Sequence, residues 1–238
     1  MTTLNSVPKP FVIGIAGGTG AGKSDVAARL CRHFENTYKV SVLNQDAYYR
    51  DLSSFSAAER QMVNFDDPAS LDHDLLLHDL RCLIAGTPIH KPRYCFSTQT
   101  RRLETDLVTP ALIIVVEGLF AFWDLRLRSE MNYKLYLDTD PDLRFIRRLY
   151  SDMQNKGRTL SSVIAHYVNV IRPMHQKYVE TTKLYADVVN KPESIAHSIA
   201  RIEESVTQAL SDCARPDIPA IPHTHTLRRT LGTASMPL

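Results

Sequence analysis

The sequence has no closely spaced cysteines. Cys31, Cys82, Cys95 and Cys213 are scattered with no C-x-x-C pair, which excludes a zinc knuckle and a disulfide framework and fits a reducing, cytoplasmic setting. Long apolar runs are missing too. The longest, Ala111 to Val116, is closed by Glu117 and is far too short to span a bilayer, and the opening MTTLNSVPKP has no apolar stretch of the signal-peptide kind. Charge of one sign is absent: 28 Lys and Arg against 26 Asp and Glu leave a formal net charge of +2, without the footprint of a nucleic-acid or anionic-membrane binder. There is no internal repeat. His73, His78, His166 and His175 make no metal-binding spacing such as H-E-x-x-H. Glycine is sparse as well, nine in 238 residues, and four of the nine stand between Gly17 and Gly22.

What remains is ordinary globular material, 44% apolar and 23% charged over 238 residues. That is enough for one domain with a core that needs no staple. Five short runs rich in Val, Ile and Leu read as buried parallel strands: 11–16, 40–43, 112–116, 134–137 and 186–189. Helical patterns alternate with them, at 23–34, at 70–85, from Asp140 and Pro141 to just before Gly157, from Thr159 or Ser161 to about Tyr178, and at 193–211. In the third of these helices, Leu143, Ile146, Leu149, Tyr150 and Met153 read as the buried side. The alternation predicts an α/β fold with a parallel sheet covered by helices on both faces. Residues 88–106 break the rhythm and read as a small antiparallel excursion facing a substrate. The expected organisation is an arm at 1–10, one domain at 11–212 and a disordered tail at 213–238.

The strongest local signal is Gly17-Gly18-Thr19-Gly20-Ala21-Gly22-Lys23-Ser24, a full match to G-x-x-x-x-G-K-[ST] between an apolar strand and an amphipathic helix. Glycines let successive N–H groups turn inward as an anion nest, and the helix N-terminus adds positive charge. Lys23 is then placed for the β- and γ-phosphates of a nucleoside triphosphate, and the Ser24 hydroxyl for Mg²⁺. Glu117, closing the run 112–116, is expected at the carboxyl edge of the sheet beside this loop, as a direct or water-mediated Mg²⁺ ligand. Gly118 after it implies a close backbone approach. Asp46 follows the second strand to the same edge, where a carboxylate can take a hydroxyl proton while staying near the metal.

Seven stretches in order, from GIAGGTGAGKS (14–24) and QDAYYRDLS (45–53) to GRTLSSVIAHY (157–167) and RPMHQKYVETTKLYADVV (172–189), resemble the uridine kinase, or uridine–cytidine kinase, family over roughly residues 12–200. The resemblance implies a P-loop kinase fold with a helical lid at 152–160. It implies transfer from ATP or GTP, with Mg²⁺, to the 5′-hydroxyl of uridine and cytidine in pyrimidine salvage, and a homo-oligomer, dimer or tetramer. It gives Asp46 the role of base and puts Tyr49 in the nucleoside pocket. Asp66 and Arg148 fall at the ribose hydroxyls, Tyr94 at the pyrimidine, and Lys156 and Arg158 on the basic lid. Ser24, Asp46 and Glu117 fall around the metal. Gln99 stands where the family usually has a histidine at the pyrimidine edge; its amide has both donor and acceptor, which predicts use of both nucleosides. Ser151 stands in place of a lid arginine, with Arg144 or Arg147 as candidates to compensate, and His166 in place of a substrate-near glutamine. Asn190-Lys191-Pro192-Glu193 replaces the family's loop by the nucleotide base and leaves the donor open. Two other readings stay in play: a P-loop kinase for another small hydroxyl substrate, of phosphoribulokinase or pantothenate kinase type, and a catalytically weakened nucleotide-binding regulator.

Overall fold

The computed structural model describes residues 9–191 and 194–214, apart from the side chains of 155, 156 and 212–214. Residues 1–8 of the expected arm, 215–238 of the expected tail, Pro192, Glu193 and the side chain of Lys156 lie outside the described residues.

In chain order the regular elements are β1 (Phe11–Gly17), α1 (Lys23–Phe34), β2 (Val40–Asn44), α2 (Ala57–Gln61), α3 (His73–Ile84), β3 (Ile89–Cys95), β4 (Thr100–Val108), β5 (Ile113–Glu117), α4 (Leu125–Arg128), β6 (Tyr133–Leu137), α5 (Pro141–Lys156), α6 (Leu160–His166), α7 (Arg172–Met174), β7 (Val188–Asn190) and α8 (Ile195–Ala214). A wider π-type turn at Tyr167–Ile171 joins α6 to α7, and a second at His175–Val179 carries the helical rod on beyond α7. The five expected parallel strands are all present, in the order β2-β5-β1-β6-β7. Strand β1, at the centre, pairs in parallel with β5 and β6.

Because successive side chains of a strand point to opposite faces, β1 and β5 feed two cores. Val12, Ala16, Ile114 and Val116 face Leu76, Leu80 and Leu83 of α3 and the loop residues Phe120 and Phe122. Ile13, Ile15, Ile113 and Val115 face Val26, Leu30 and Phe34 of α1 and Ile202 and Val206 of α8. An acid in the α3 stripe, Asp79, is buried because it accepts the Tyr48 hydroxyl at 2.9 Å. Helix α3 starts three residues later than the pattern from Ser70 suggests. Asp72 caps it by accepting from the Leu75 N–H, and residues 68–70 form a separate 3-10 turn capped by Asp67.

The excursion is a two-stranded antiparallel sheet, β3 with β4, broken by a bulge between Pro92 and Tyr94. Its outer face lies in solvent, with Leu103 and Leu107 exposed.

Helix α5 corrects the sequence reading. Leu143, Ile146, Tyr150 and Met153 are exposed, and the buried positions are Arg144 and Asp152. The helix turns its charged side inward because that side meets the glycine-rich loop, where the Gly20 carbonyl and the Thr19 hydroxyl accept from Arg147 and Arg148, while buried Arg144 packs on Gly18 and donates to Thr139 O. A paired, hydrogen-bonded charge tolerates burial.

Candidate active site

The loop between β1 and α1 turns through left-handed glycines. Gly20 and Gly22 hold φ of 75° and 93°, and a Cβ on Gly20 would come within 2.5 Å of the Arg144 carbonyl oxygen, so the loop accepts only glycine there. Lys23 lies along the loop, its Nζ donating to Gly18 O at 3.1 Å. Desolvation lowers its pKa, and the carboxylates of Glu117 and Asp46 oppose that shift. Gly18 packs against the guanidinium of Arg144, which donates to Thr139 O at 2.9 Å. Arg147 donates to Gly20 O at 3.2 Å, and Arg148 to Thr19 Oγ1 at 2.8 Å. Three arginines of α5 thus reach the loop, including the two expected to offset Ser151.

Glu117 and Asp46 stand at the carboxyl edge of adjacent strands, where β2 pairs with β5 and Asn44 faces Glu117. Ser24 donates to Glu117 Oε1 at 2.8 Å. Glu117 is buried; desolvation raises its pKa, while Lys23 and Ser24 pull it back. Gly118 is indeed tightly approached, since a Cβ there would meet the Gln45 side chain. Asp46 sits in the 3-10 turn Gln45–Tyr48, its N–H bonded to Asn44 Oδ1 at 2.7 Å, and its own side chain is exposed. Among the described residues no three His, Cys, Asp or Glu side chains cluster as a metal site. A cation here would rest on Ser24, Glu117 and Asp46 together with phosphate oxygens, a hard oxygen set that suits Mg²⁺.

These groups open into a cavity of about 960 Å³ that runs on to Tyr49, Asp66, Gln99, Arg158 and His166. At its far end the Tyr49 ring meets those of Phe65, Tyr94 and Phe96 at 5.2, 5.4 and 5.7 Å. Tyr49 also donates to Phe65 O at 3.2 Å. Burial and the nearby acids Asp46 and Asp66 keep its phenol protonated. Phe65 and Phe96 line the cavity, whereas Tyr94, on β3, does not: its ring packs on theirs instead of reaching the cavity as the resemblance implied. Gln99, at the hairpin tip, faces the cavity from a left-handed backbone with φ 58°. His166 lies beside Asp66, Arg148 and Arg158, and burial lowers its pKa, so it is neutral at pH 7. Of the expected loop residues, Gly17, Gly18 and Ala21 do not line the cavity.

Sequence reasoning missed four contributors. Phe65 and Phe96 sit inside segments already singled out, but an aromatic residue in a loop reads equally as core. Arg101 on β4 donates to the carbonyls of Tyr49 at 2.9 Å and Tyr48 at 3.4 Å and pairs with Asp72, which fastens the hairpin to the turn carrying Asp46. Its partners lie 29 to 53 residues away and leave no local signal. Asp152 pairs with Arg148 and Arg158; the i, i+4 spacing to Arg148 was its only trace.

A family model described as phosphoribulokinase/uridine kinase matches residues 12–194. The chain belongs to this family. Among curated family members, the uridine kinase of Halalkalibacterium halodurans is 46% identical over 181 residues, covering 76% of this chain and 85% of its own. That of Deinococcus deserti is 47% identical over 181 residues, covering 76% and 87%. Among solved structures, a possible uridine kinase from Bacillus stearothermophilus aligns with a TM-score of 0.56 at 22% identity over 77% of this chain and 90% of its own. Phosphoribulokinase from Rhodobacter spheroides aligns at 0.60 and 12% identity over 77% and 70%. These structures share the fold that the family's parallel sheet and P-loop define. No helix among the described residues is long and apolar enough to cross a membrane.

Proposed function

We propose that the chain is a uridine kinase, which transfers the γ-phosphoryl group of a nucleoside triphosphate to the 5′-hydroxyl of a pyrimidine ribonucleoside. The observation that carries this reading is one cavity with a phosphate nest at one end, an aromatic wall at the other, and Asp46 between them. Lys23 and the loop amides bind the triphosphate. Asp46 accepts the hydroxyl proton, and Asp66 and Arg148 hold the ribose. The rings of Tyr49, Phe65 and Phe96 flank the base, and the Gln99 amide meets its edge. Mg²⁺ held by Ser24, Glu117 and Asp46 would neutralise charge on the β- and γ-phosphates. A smaller cavity of about 350 Å³, lined by Val26, Thr139, Arg147 and Ile195 beside Gly22, suits the donor's base, and it favours neither ATP nor GTP. The segment 152–160, with Arg158, acts as the lid over the transferring group.

The test is a panel: Mg-ATP or Mg-GTP with uridine, cytidine, adenosine, ribulose 5-phosphate or pantothenate, scored for phosphorylated product. Uridine and cytidine are expected to react within about a hundredfold of each other in kcat/KM, a difference below about 2.7 kcal/mol. Product from ribulose 5-phosphate or pantothenate alone would overturn the acceptor assignment. Triphosphate binding without product from any acceptor would favour the regulator.

A further inference from the structure

Asp152 is an acid with no access to solvent, near the end of α5. Its Oδ2 accepts from Arg148 Nε at 2.9 Å and from Arg158 Nη1 at 3.2 Å. The two arginines reach it from opposite sides of a chain reversal. Arg148 lies one turn back on the same helix. Arg158 lies beyond Gly157, whose φ of 61° ends the helix and turns the chain back. The main chain repeats the clasp, because the N–H groups of Gly157 and Arg158 both donate to the Asp152 carbonyl. Arg148 extends its other nitrogen, Nη1, to Thr19 of the P-loop. A continuous line of charged and polar contacts therefore runs from Thr19 through Arg148 and Asp152 to Arg158. Both arginines line the cavity, and Arg158 is the more exposed, at 37% against 18% for its side chain.

Two guanidinium groups held this close repel each other. The buried carboxylate between them offsets the repulsion, and the two cations in turn offset the cost of burying the carboxylate. The backbone carbonyl of residue 152 ends the helix whatever side chain it carries. The carboxylate is therefore superfluous as a helix stop, and what it adds is the placement of two cations.

We propose that Asp152 is a positioning residue: it fixes Arg158 relative to the P-loop, by way of Arg148, and acts on phosphoryl transfer through Arg158. This rests on the kinase reading above. Arg158 touches the transferring group; Asp152 does not. Neutral His166 beside the pair adds no third positive charge at pH 7.

The test is a double-variant cycle on the full chain: wild type, Asp152→Asn, Arg158→Ala and both together. Asparagine keeps the size and the backbone stop but loses the charge. Asp152→Asn is expected to lower kcat about ten- to a hundredfold, the scale of a displaced catalytic group, and to leave the nucleoside KM within about threefold. The double variant is expected to fall no more than about threefold below Arg158→Ala, because the cation through which the carboxylate acts on transfer is already gone. Losses that multiply instead, or a fall in kcat matched by an equal loss of melting temperature in both Asp152 backgrounds, mean a structural role and overturn the proposal. If Asp152→Asn does not fold, Asp152→Glu enters the same cycle with the same expectation, since it keeps the charge and shifts its position. The four forms are also titrated calorimetrically with a non-hydrolysable Mg-ATP analogue, where the same lack of additivity is expected in affinity. A wild type that phosphorylates no acceptor sinks the kinase reading, and the calorimetric cycle then judges Asp152 alone. A wild type that does not bind the analogue overturns both.

Discussion

At the phosphate end of the cavity, the groups that face a ligand are main-chain amides and charges mounted on a parallel sheet and two helices. At the other end they are rings carried by a 3-10 turn, a loop and a two-stranded hairpin with its back to solvent. The first end is fixed by hydrogen bonds: three arginines of α5 on the P-loop or its flank, and Ser24 on Glu117. The second is fixed by ring contacts and by one cross-link, Arg101 on the carbonyls of Tyr48 and Tyr49. A phosphate is the same group in every donor, so the site that receives it can be rigid. An acceptor varies in shape, and apolar contact between rings constrains geometry less than directed hydrogen bonds do.

The contrast can be broken most sharply at the junction. Asp46→Asn is expected to cut kcat by about 10²–10⁴ while affinity for the triphosphate, measured by calorimetry, stays within about threefold; normal turnover would remove Asp46 from the chemistry. Next in size is Gly20→Ala, which must fit a side chain at φ 75° against the Arg144 carbonyl. Strain of about 1–3 kcal/mol is expected to weaken triphosphate binding roughly five- to a hundredfold and leave the nucleoside KM alone. An equal effect on both substrates would mean that the two ends are not separate. Phe96→Ala should do the reverse. Ring contacts worth about 0.5–1.5 kcal/mol give a rise of about two- to tenfold in nucleoside KM with the donor KM unchanged, and steady-state kinetics with each substrate varied would separate the two.

The smallest effect concerns pH and lies behind the phosphate end. His175 Nε2 stands 3.2 Å from both Arg144 Nη2 and Glu180 Oε2. Burial and the Arg144 charge lower its pKa to about 4. The unfolded chain, with an ordinary histidine, binds the proton more readily, so stability should be full above pH ~6.5 and fall as the pH drops towards 4. His73 and His166, also lowered by burial, act in the same direction. Melting temperature followed from pH 7 to pH 4.5 is expected to fall by a few degrees more in the wild type than in His175→Gln. Parallel curves would show that His175 does not titrate differently on folding.

The phosphate end was legible in the sequence because its determinants are contiguous. One strand, one glycine run and one helix spell it out, and α1 occupies the expected residues 23–34. Glu117 and Asp46 could be aligned with it because a parallel sheet brings strand ends to one edge. The inward face of α5 was not legible. A rule that buries apolar residues puts Leu143, Ile146, Tyr150 and Met153 inside, whereas the helix buries Arg144 and Asp152. That outcome depends on the glycine-rich loop against which the helix lies, where the Gly20 carbonyl and the Thr19 hydroxyl, more than a hundred residues away, accept from Arg147 and Arg148, and no local pattern contains them. The aromatic wall was less legible: Tyr49 came from resemblance, Tyr94 was named with it but does not line the cavity, and Phe65 and Phe96 emerged only when the hairpin was seen to close against the turn after β2.

Asp46 and Glu117 leave the sheet from neighbouring strands. Such strands run about 4.8 Å apart, a spacing set by the peptide hydrogen bond. The gap between these two carboxylates thus rests on backbone, with the β2–β5 ladder as its ruler. Drift in the two cores can make the protein sturdier or frailer without lengthening that ruler; only a slip of register would, and it would also turn every side chain of the slipped strand to the wrong face.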